Sequence, residues 1–311
     1  MLPVSLRLVG ALVVAGIFLP NQVSAAPAQK SVHPKKHAAK AKKHRTRYVR
    51  PAPMVAPVAY KPMAAPVTPA PTGWLITLNA KGSVSPDYLG SSRYGAIAFP
   101  TLSFRRPGTP VIWSSPDDSL DYAVYETQRF SFGPVLAYRG GRYTDNGGGD
   151  LVGIHKSKWT LEPGIFADFW VLPEVIRLHA ELRRGFRDED GFTGMLGADY
   201  VAKWNQFTLG VGPRAKFGND HFLNQQFGIT VADSIANPRF KPYKASSGLY
   251  AVGAYGSLTY QQSEAWAYTL HGGYDRLTED AASSPIVRST GSRNQFSVGA
   301  VASYTFQWNG F

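Results

Sequence analysis

The chain has no cysteine, which excludes disulfides, thiolate metal sites and lipid attachment at an N-terminal cysteine. It also has no apolar run long enough to cross a bilayer as a helix. The longest, Leu8–Leu19 (LVGALVVAGIFL), has 12 residues, where a spanning helix needs about 20. Residence in a membrane must therefore come from strands. Acidic residues are missing from one region altogether: positions 27–72 hold 10 Lys/Arg and no Asp or Glu. Arg7 is the only charge in 1–26, and positions 73–311 hold 22 Lys/Arg against all 21 acids. The formal charge of +12 thus belongs to one segment, and no nucleic-acid partner is expected from the nearly neutral remainder.

Residues 1–25 read as a secretory signal: Arg7 supplies the basic start, Leu8–Leu19 the apolar core, and Val23-Ser24-Ala25 the small-residue cleavage site. Residues 26–72 are rich in Ala, Pro and Lys and show no periodicity. Such a composition buries too little surface to offset chain entropy and favours extended polyproline-like structure. It reads as a disordered basic linker on the periplasmic side, able to meet an anionic surface such as cell-wall polymer or lipopolysaccharide. His33, His37 and His44 are too loosely spaced to define a metal site.

From Gly73 the pattern changes to stretches of about ten residues with period-two alternation, separated by turn signals. Phe207, Leu209, Val211, Pro213, Ala215 and Phe217 form one apolar row; Phe296, Val298, Ala300, Ala302, Tyr304 and Phe306 form another. The residues between them are small or polar. Apolar side chains facing lipid and polar ones facing a lumen are the signature of a transmembrane barrel. The expected fold class is therefore all-β, a closed antiparallel barrel of about 12 strands over residues 73–311.

An even strand count with short turns on one side and long loops on the other predicts strands at 74–83, 95–105, 110–115, 120–127, 129–142, 158–171, 174–186, 193–203, 206–217, 249–262, 265–276 and 295–306. The same rule makes Pro116–Ser119 (PDDS) a brief outer loop and puts 221–232 in a long outer loop. Tryptophan favours membrane interfaces. Trp74, Trp170, Trp204, Trp266 and Trp308 fall at predicted periplasmic ends, Trp113 and Trp159 near outer ends. Phe306 is in phase with the lipid-facing row, so Gln307–Phe311 reads as a short extension; the alternative is a bulge that restores Phe311 as the terminal aromatic.

The inward row is charged. Strand seven offers Arg177, His179, Glu181 and Arg183, and its neighbours add Glu162, Asp168, Asp199, Lys203, Arg214 and Lys216. Mixed charges inside a barrel are expected to pair and brace the wall, because an unpaired charge in a partly dry lumen is costly. These residues would line any narrow pore. Serine–histidine catalysis needs a hydroxyl, an imidazole and an acid that converge; His155, Ser157 and Asp150 share one loop, and His221 and His271 are further candidates, but no motif joins them. Gly147–Asp150 lacks the Lys-Ser/Thr of a phosphate loop, and Asp188–Asp190 lacks calcium-loop spacing. No enzyme activity, cofactor or metal is expected.

The stretches PDYLGSSRY (Pro86–Tyr94), GPVLAYRGGR (Gly133–Arg142), GADYV (Gly197–Val201), FGIT (Phe227–Thr230) and YDRLTEDAASSPIV (Tyr274–Val287) resemble the MltA-interacting protein/OmpV family of outer-membrane proteins. GSRNQFSVGAVASYTF (Gly291–Phe306) resembles that family's closing strand. The resemblance covers 73–306 in order; the basic segment departs from it. It implies a non-enzymatic outer-membrane barrel that scaffolds a lytic transglycosylase and a peptidoglycan synthase, with channel or surface-adhesin roles as alternatives. The RLTEDAASSPIV stretch is then an outer loop, with Glu279 and Asp280 solvated and Pro285 turning the chain back.

Overall fold

The computed structural model describes residues 73–108, 111–143 and 149–309. The expected signal sequence and basic linker lie outside these residues. Among the described residues ten long strands carry the fold: β1 (Trp74–Pro86), β2 (Tyr94–Arg105), β5 (Phe130–Arg139), β6 (Thr160–Leu172), β7 (Ile176–Arg184), β8 (Phe192–Trp204), β9 (Phe207–Gly218), β10 (Gly248–Gln261), β11 (Trp266–Leu277) and β12 (Asn294–Trp308). Two short pieces, β3 (Leu120–Asp121) and β4 (Tyr125–Glu126), pair with β5. All pairings are antiparallel, in the order β2-β1-β12-β11-β10-β9-β8-β7-β6-β5-β3, so the first and last long strands meet in a barrel-like sheet. Each long strand lies within three residues of a predicted one at either end. β12 runs through Gln307 and Trp308, pairing Trp308 with Trp74, so the supposed extension is partly strand.

The alternation holds through the wall. On β7, Arg177, His179 and Glu181 are buried while Leu178 and Leu182 are exposed. On β9, Arg214 is buried between exposed Pro213 and half-buried Ala215. A soluble protein would not leave such rows of Leu, Val and Phe open; lipid makes them favourable. Among the described residues no helix is long and apolar enough to cross a membrane, which leaves β-structure untouched as a means of crossing.

Residues 111–127 are the main correction. They form no pair of spanning strands: 111–115 pair with no strand, and only the two-residue β3 and β4 join the sheet. PDDS is not an outer loop, since Asp117 and Asp118 contact the wall residues Arg214 and Arg177 from inside. The parity rule survives for a different reason. β2 ends and β5 begins at the same end of the sheet, so the excursion between them enters the interior and returns without crossing. Ten long strands satisfy alternation as well as twelve. No ladder joins β2 to β5 among the described residues, so one seam of the wall stays open.

The apolar core lies at the end with the long loops. Helices α1 (Asp220–Phe227), α2 (Val231–Ala236), α3 (Glu279–Ser283) and α4 (Pro285–Ser289) fold over it. Phe222, Leu223, Phe227, Tyr250, Leu277, Ala281 and Val287 form one buried cluster; Tyr88, Leu151, Ile154, Ile229, Phe240 and Ile286 form another. Stretch 221–232 is indeed no strand. RLTEDAASSPIV folds as α3 and α4, with Pro285 at the first helical turn, where its missing donor costs nothing. Asp280 is not merely solvated: its carboxylate accepts from the Ser246 amide at 2.7 Å.

Close strand approach makes one wall glycine irreplaceable. A Cβ on Gly212 would collide with the carbonyl oxygen of Ala198 on β8. Gly212→Ala is expected to destabilise the barrel by about 1–3 kcal/mol, as overpacking does. Urea titration of the heat-modifiable folded band checks this, and an unchanged midpoint would contradict it.

Candidate functional site

The inward charges and the in-folded segment form one network. Asp199 on β8 lies between two guanidiniums, 2.8 Å from Arg177 on one side and 2.8 Å from Arg214 on the other. Each arginine takes a second carboxylate from the in-folded tip. Arg177 donates to both Asp118 oxygens at 2.7 and 3.1 Å. Arg214 donates to both Asp117 oxygens at 2.8 and 3.0 Å, and to Ser115 Oγ at 3.1 Å. Such two-pronged contacts exploit the planar fork of arginine. The Trp113 ring lies 4.9 Å from the Arg177 guanidinium.

Around this centre the pairing continues. His179 Nδ1 lies 2.7 Å from Asp168 and Nε2 3.1 Å from Glu181. Glu181 accepts from the amide and hydroxyl of Ser119 at 3.0 and 2.7 Å. Arg183 reaches Glu181 at 3.2 Å, and Arg139 reaches Glu162 at 2.8 Å. Asp118, His179 and Glu181 hold three potential metal-ligand atoms within 4.8 Å of one another. Arg177 and Arg183 already neutralise the two carboxylates, so the cluster fits a salt-bridge network better than a cation site.

The ten residues expected to line the lumen separate by position. Glu162, Asp168, Arg177, His179, Glu181, Asp199 and Arg214 are buried in the network, and Arg183 is half-buried beside it. Lys216 pairs with Asp275 on β11. Lys203 lies at the turn end in phase with Asp199, is 43% exposed, and pairs with Glu174. Two tryptophans also depart from the interfacial belt. Trp170 is buried on the inward row of Phe166 and Asp168, and Trp113 belongs to the in-folded segment.

The sequence reading missed Asp117, Asp118, Ser115, Ser119 and Arg139. A signal for the acids was present. The predicted inward set contains four carboxylates against five Lys/Arg and His179, so further acids had to come from elsewhere.

The loop-end histidine is structural. His155 Nδ1 lies 2.7 Å from Asp233, and its Nε2 lies 3.3 Å from Arg142, which can only donate. The ring is thus held between an acid and a cation. Ser157 instead accepts from Gln226 at 2.9 Å, and Asp150 pairs with Arg239 at 3.1 Å. His155, Ser157 and Asp150 therefore do not converge. His221 lies on α1, and His271 faces the interior from β11. Asp190 of the Asp188–Asp190 turn is buried against Arg187. Burial pushes the Arg142 guanidinium down to about 10, leaving it cationic at neutral pH.

Burial opposes ionisation of Asp233, but hydrogen bonds from His155 and Thr230 outweigh it and hold the carboxyl below its usual range. A depressed carboxyl contributes stability above its unfolded pKa, lost as pH falls through the folded value. The α2 loop is therefore expected to loosen below about pH 4, the ordinary aspartate range. Amide exchange at Thr230 and Asp233 should rise there, and Asp233→Asn should abolish the rise. Equal pH sensitivity in that variant would refute the assignment.

An apolar exterior, a charge-paired interior and a helical cap at one end define a protein of the outer-membrane β-barrel class. The family model described as MltA-interacting protein MipA matches residues 79–306, and the chain belongs to that family. No curated protein matches the sequence. Among solved structures, an outer-membrane channel from Pseudomonas putida F1 is similar at 10% identity, over 76% of this chain and 96% of that one, with a TM-score of 0.39. The toluene transporter TbuX of Ralstonia pickettii shares 9% identity over 76% of this chain and 90% of its own, with a TM-score of 0.31.

Proposed function

We propose that this protein is an outer-membrane scaffold that engages peptidoglycan-remodelling enzymes, not an open pore. The observation carrying this reading is the in-folded tip: Asp117 and Asp118 occupy Arg214 and Arg177 inside the wall. Its main cations are spent on internal pairing, so the interior offers a passing solute little charge. The family description supports the partner class, since it names an interaction with MltA. In this reading the lipid-facing rows hold the protein among membrane lipid and lipopolysaccharide. Residues 26–72 face the periplasm and reach peptidoglycan or its enzymes, a lytic transglycosylase and a synthase.

A second reading, a narrow channel, has one observation in its favour. A cavity of about 1510 Å³ lies beside the tip, lined by Lys81, Thr193, Lys216 and Tyr255 among others. Two measurements separate the readings. Affinity capture from envelope extracts should retain wall-remodelling enzymes with the full chain and lose them when residues 27–72 are removed. Planar bilayers holding the full chain should stay silent. Steady conductance with no captured enzyme would replace the scaffold reading with the channel.

A further inference from the structure

The same cavity is not confined to the interior. Its lining includes inward residues Lys81, Asp117, Tyr255 and His271, and also Leu102 and Phe104 of β2 with Leu136 and Tyr138 of β5. Those last four belong to the exposed, lipid-facing rows of their strands. One continuous space therefore runs from the charged interior, through the seam between β2 and β5, to the outer face. Ile97, Phe99 and Leu120 line the passage, and all three are exposed. Open backbone edges are not tolerated against hydrocarbon, so this seam needs either water or an occupant.

The inner end of the passage holds two groups whose needs the protein does not fully meet. His271 is 7% exposed, and its Nε2 has no hydrogen-bond partner. Its Nδ1 lies 2.6 Å from the Tyr255 hydroxyl. An imidazole nitrogen is a stronger acceptor than a phenol oxygen, so the pair is assigned with Tyr255 donating to Nδ1, which leaves the N–H on Nε2. Leaving such a group buried and unpaired is unfavourable, because its lost hydration is not replaced. Lys81 donates to the Pro116 carbonyl at 2.6 Å and sits 5.9 Å from the Phe99 ring centre, with no carboxylate ion pair among the described residues.

Gly299 brings the two groups to one place. It pairs with His271 on one side and with Ser83, two residues from Lys81, on the other. Lacking a side chain, it leaves room for the imidazole, which a Cβ there would strike.

We propose that this cavity binds a single-chain anionic amphiphile that enters from the bilayer through the β2–β5 seam. Its carboxylate accepts from Lys81 Nζ and His271 Nε2, and its alkyl chain lies along Phe99, Ile97 and Leu120. The volume suffices, since pockets of about 300–1,000 Å³ hold drug-sized ligands. The nearby acids Asp117 and Asp118 do not repel the head strongly, because Arg214 and Arg177 neutralise them. Asp121, also in the lining, sets the rival outcome, a cationic head.

The test uses the full chain in lipid nanodiscs with a diazirine-bearing dodecanoate, followed by peptide mapping. Adducts are expected in 94–105 and 120–138, competed by unlabelled dodecanoate and not by dodecylamine. His271→Phe and Lys81→Met should each weaken that competition about tenfold, the loss of roughly one charge-assisted hydrogen bond, while heat-modifiable migration reports an intact fold. Leu120→Trp, which narrows the passage on the side that pairs with Leu136, should lower adduct yield independently of the head site. Adducts spread evenly over β9–β11 with no competition would overturn the proposal. So would stronger competition by dodecylamine, which would put the head at Asp121.

Discussion

Replacing Arg177 with alanine is expected to cost the folded barrel about 3–5 kcal/mol, because removing one partner leaves buried charges uncompensated. Arg177 is 1% exposed and contacts Asp118, Asp199 and Asp168. Without it, Asp168 keeps His179 and Asp199 keeps Arg214, but Asp118 retains only a distant His179 at 3.7 Å and the Ser115 amide. The urea midpoint of the folded, heat-modifiable band should fall sharply. Lys203→Ala is the internal control. Its pair with Glu174 is solvent-exposed on both sides, and such pairs contribute about 0–1 kcal/mol. Equal effects of the two substitutions would mean that the interior is wet and the network screened.

The double substitution Asp117→Asn and Asp118→Asn should free the in-folded segment while preserving its shape. Each aspartate makes a two-pronged contact with a buried guanidinium, and charge-assisted hydrogen bonds contribute about 1.5–3 kcal/mol. Loss of both favours the undocked segment by about 3 kcal/mol or more, a shift of at least about a hundredfold in population. Ser119 and Lys81 still hold the tip through Glu181 and Pro116, so the effect falls short of full release. Bilayers holding the variant should show conductance where the unaltered chain shows little. Silence from both would mean that the tip is not what obstructs the interior.

The long strands were legible because their code is local. A period-two row such as Phe296, Val298 and Ala300 needs only its neighbours to be read, and the ends it implies agree with the observed strands within a few residues. The inward assignment of Arg177, His179, Glu181 and Arg214 follows from the same parity. Residues 111–127 were not legible in that way. They contain strand-favouring Val111, Ile112, Tyr122 and Val124, and local propensity cannot report a competing long-range contact. Trp170 shows a related limit: the affinity of tryptophan for interfaces predicts the belt, whereas strand parity places it with Asp168, inside, where it is buried.

By itself, then, the sequence determined the strand class, the two faces of the wall, and which loops are long, since each depends on spacing along the chain. Only the tertiary structure decided where the acidic tip goes. Asp118 meets an arginine 59 residues away, and Asp117 meets one 97 residues away. Carboxylates and guanidiniums buried in the wall, with little access to water, must find each other. That requirement drew PDDS off the surface, turned two expected strands into an internal segment, and left the seam between β2 and β5.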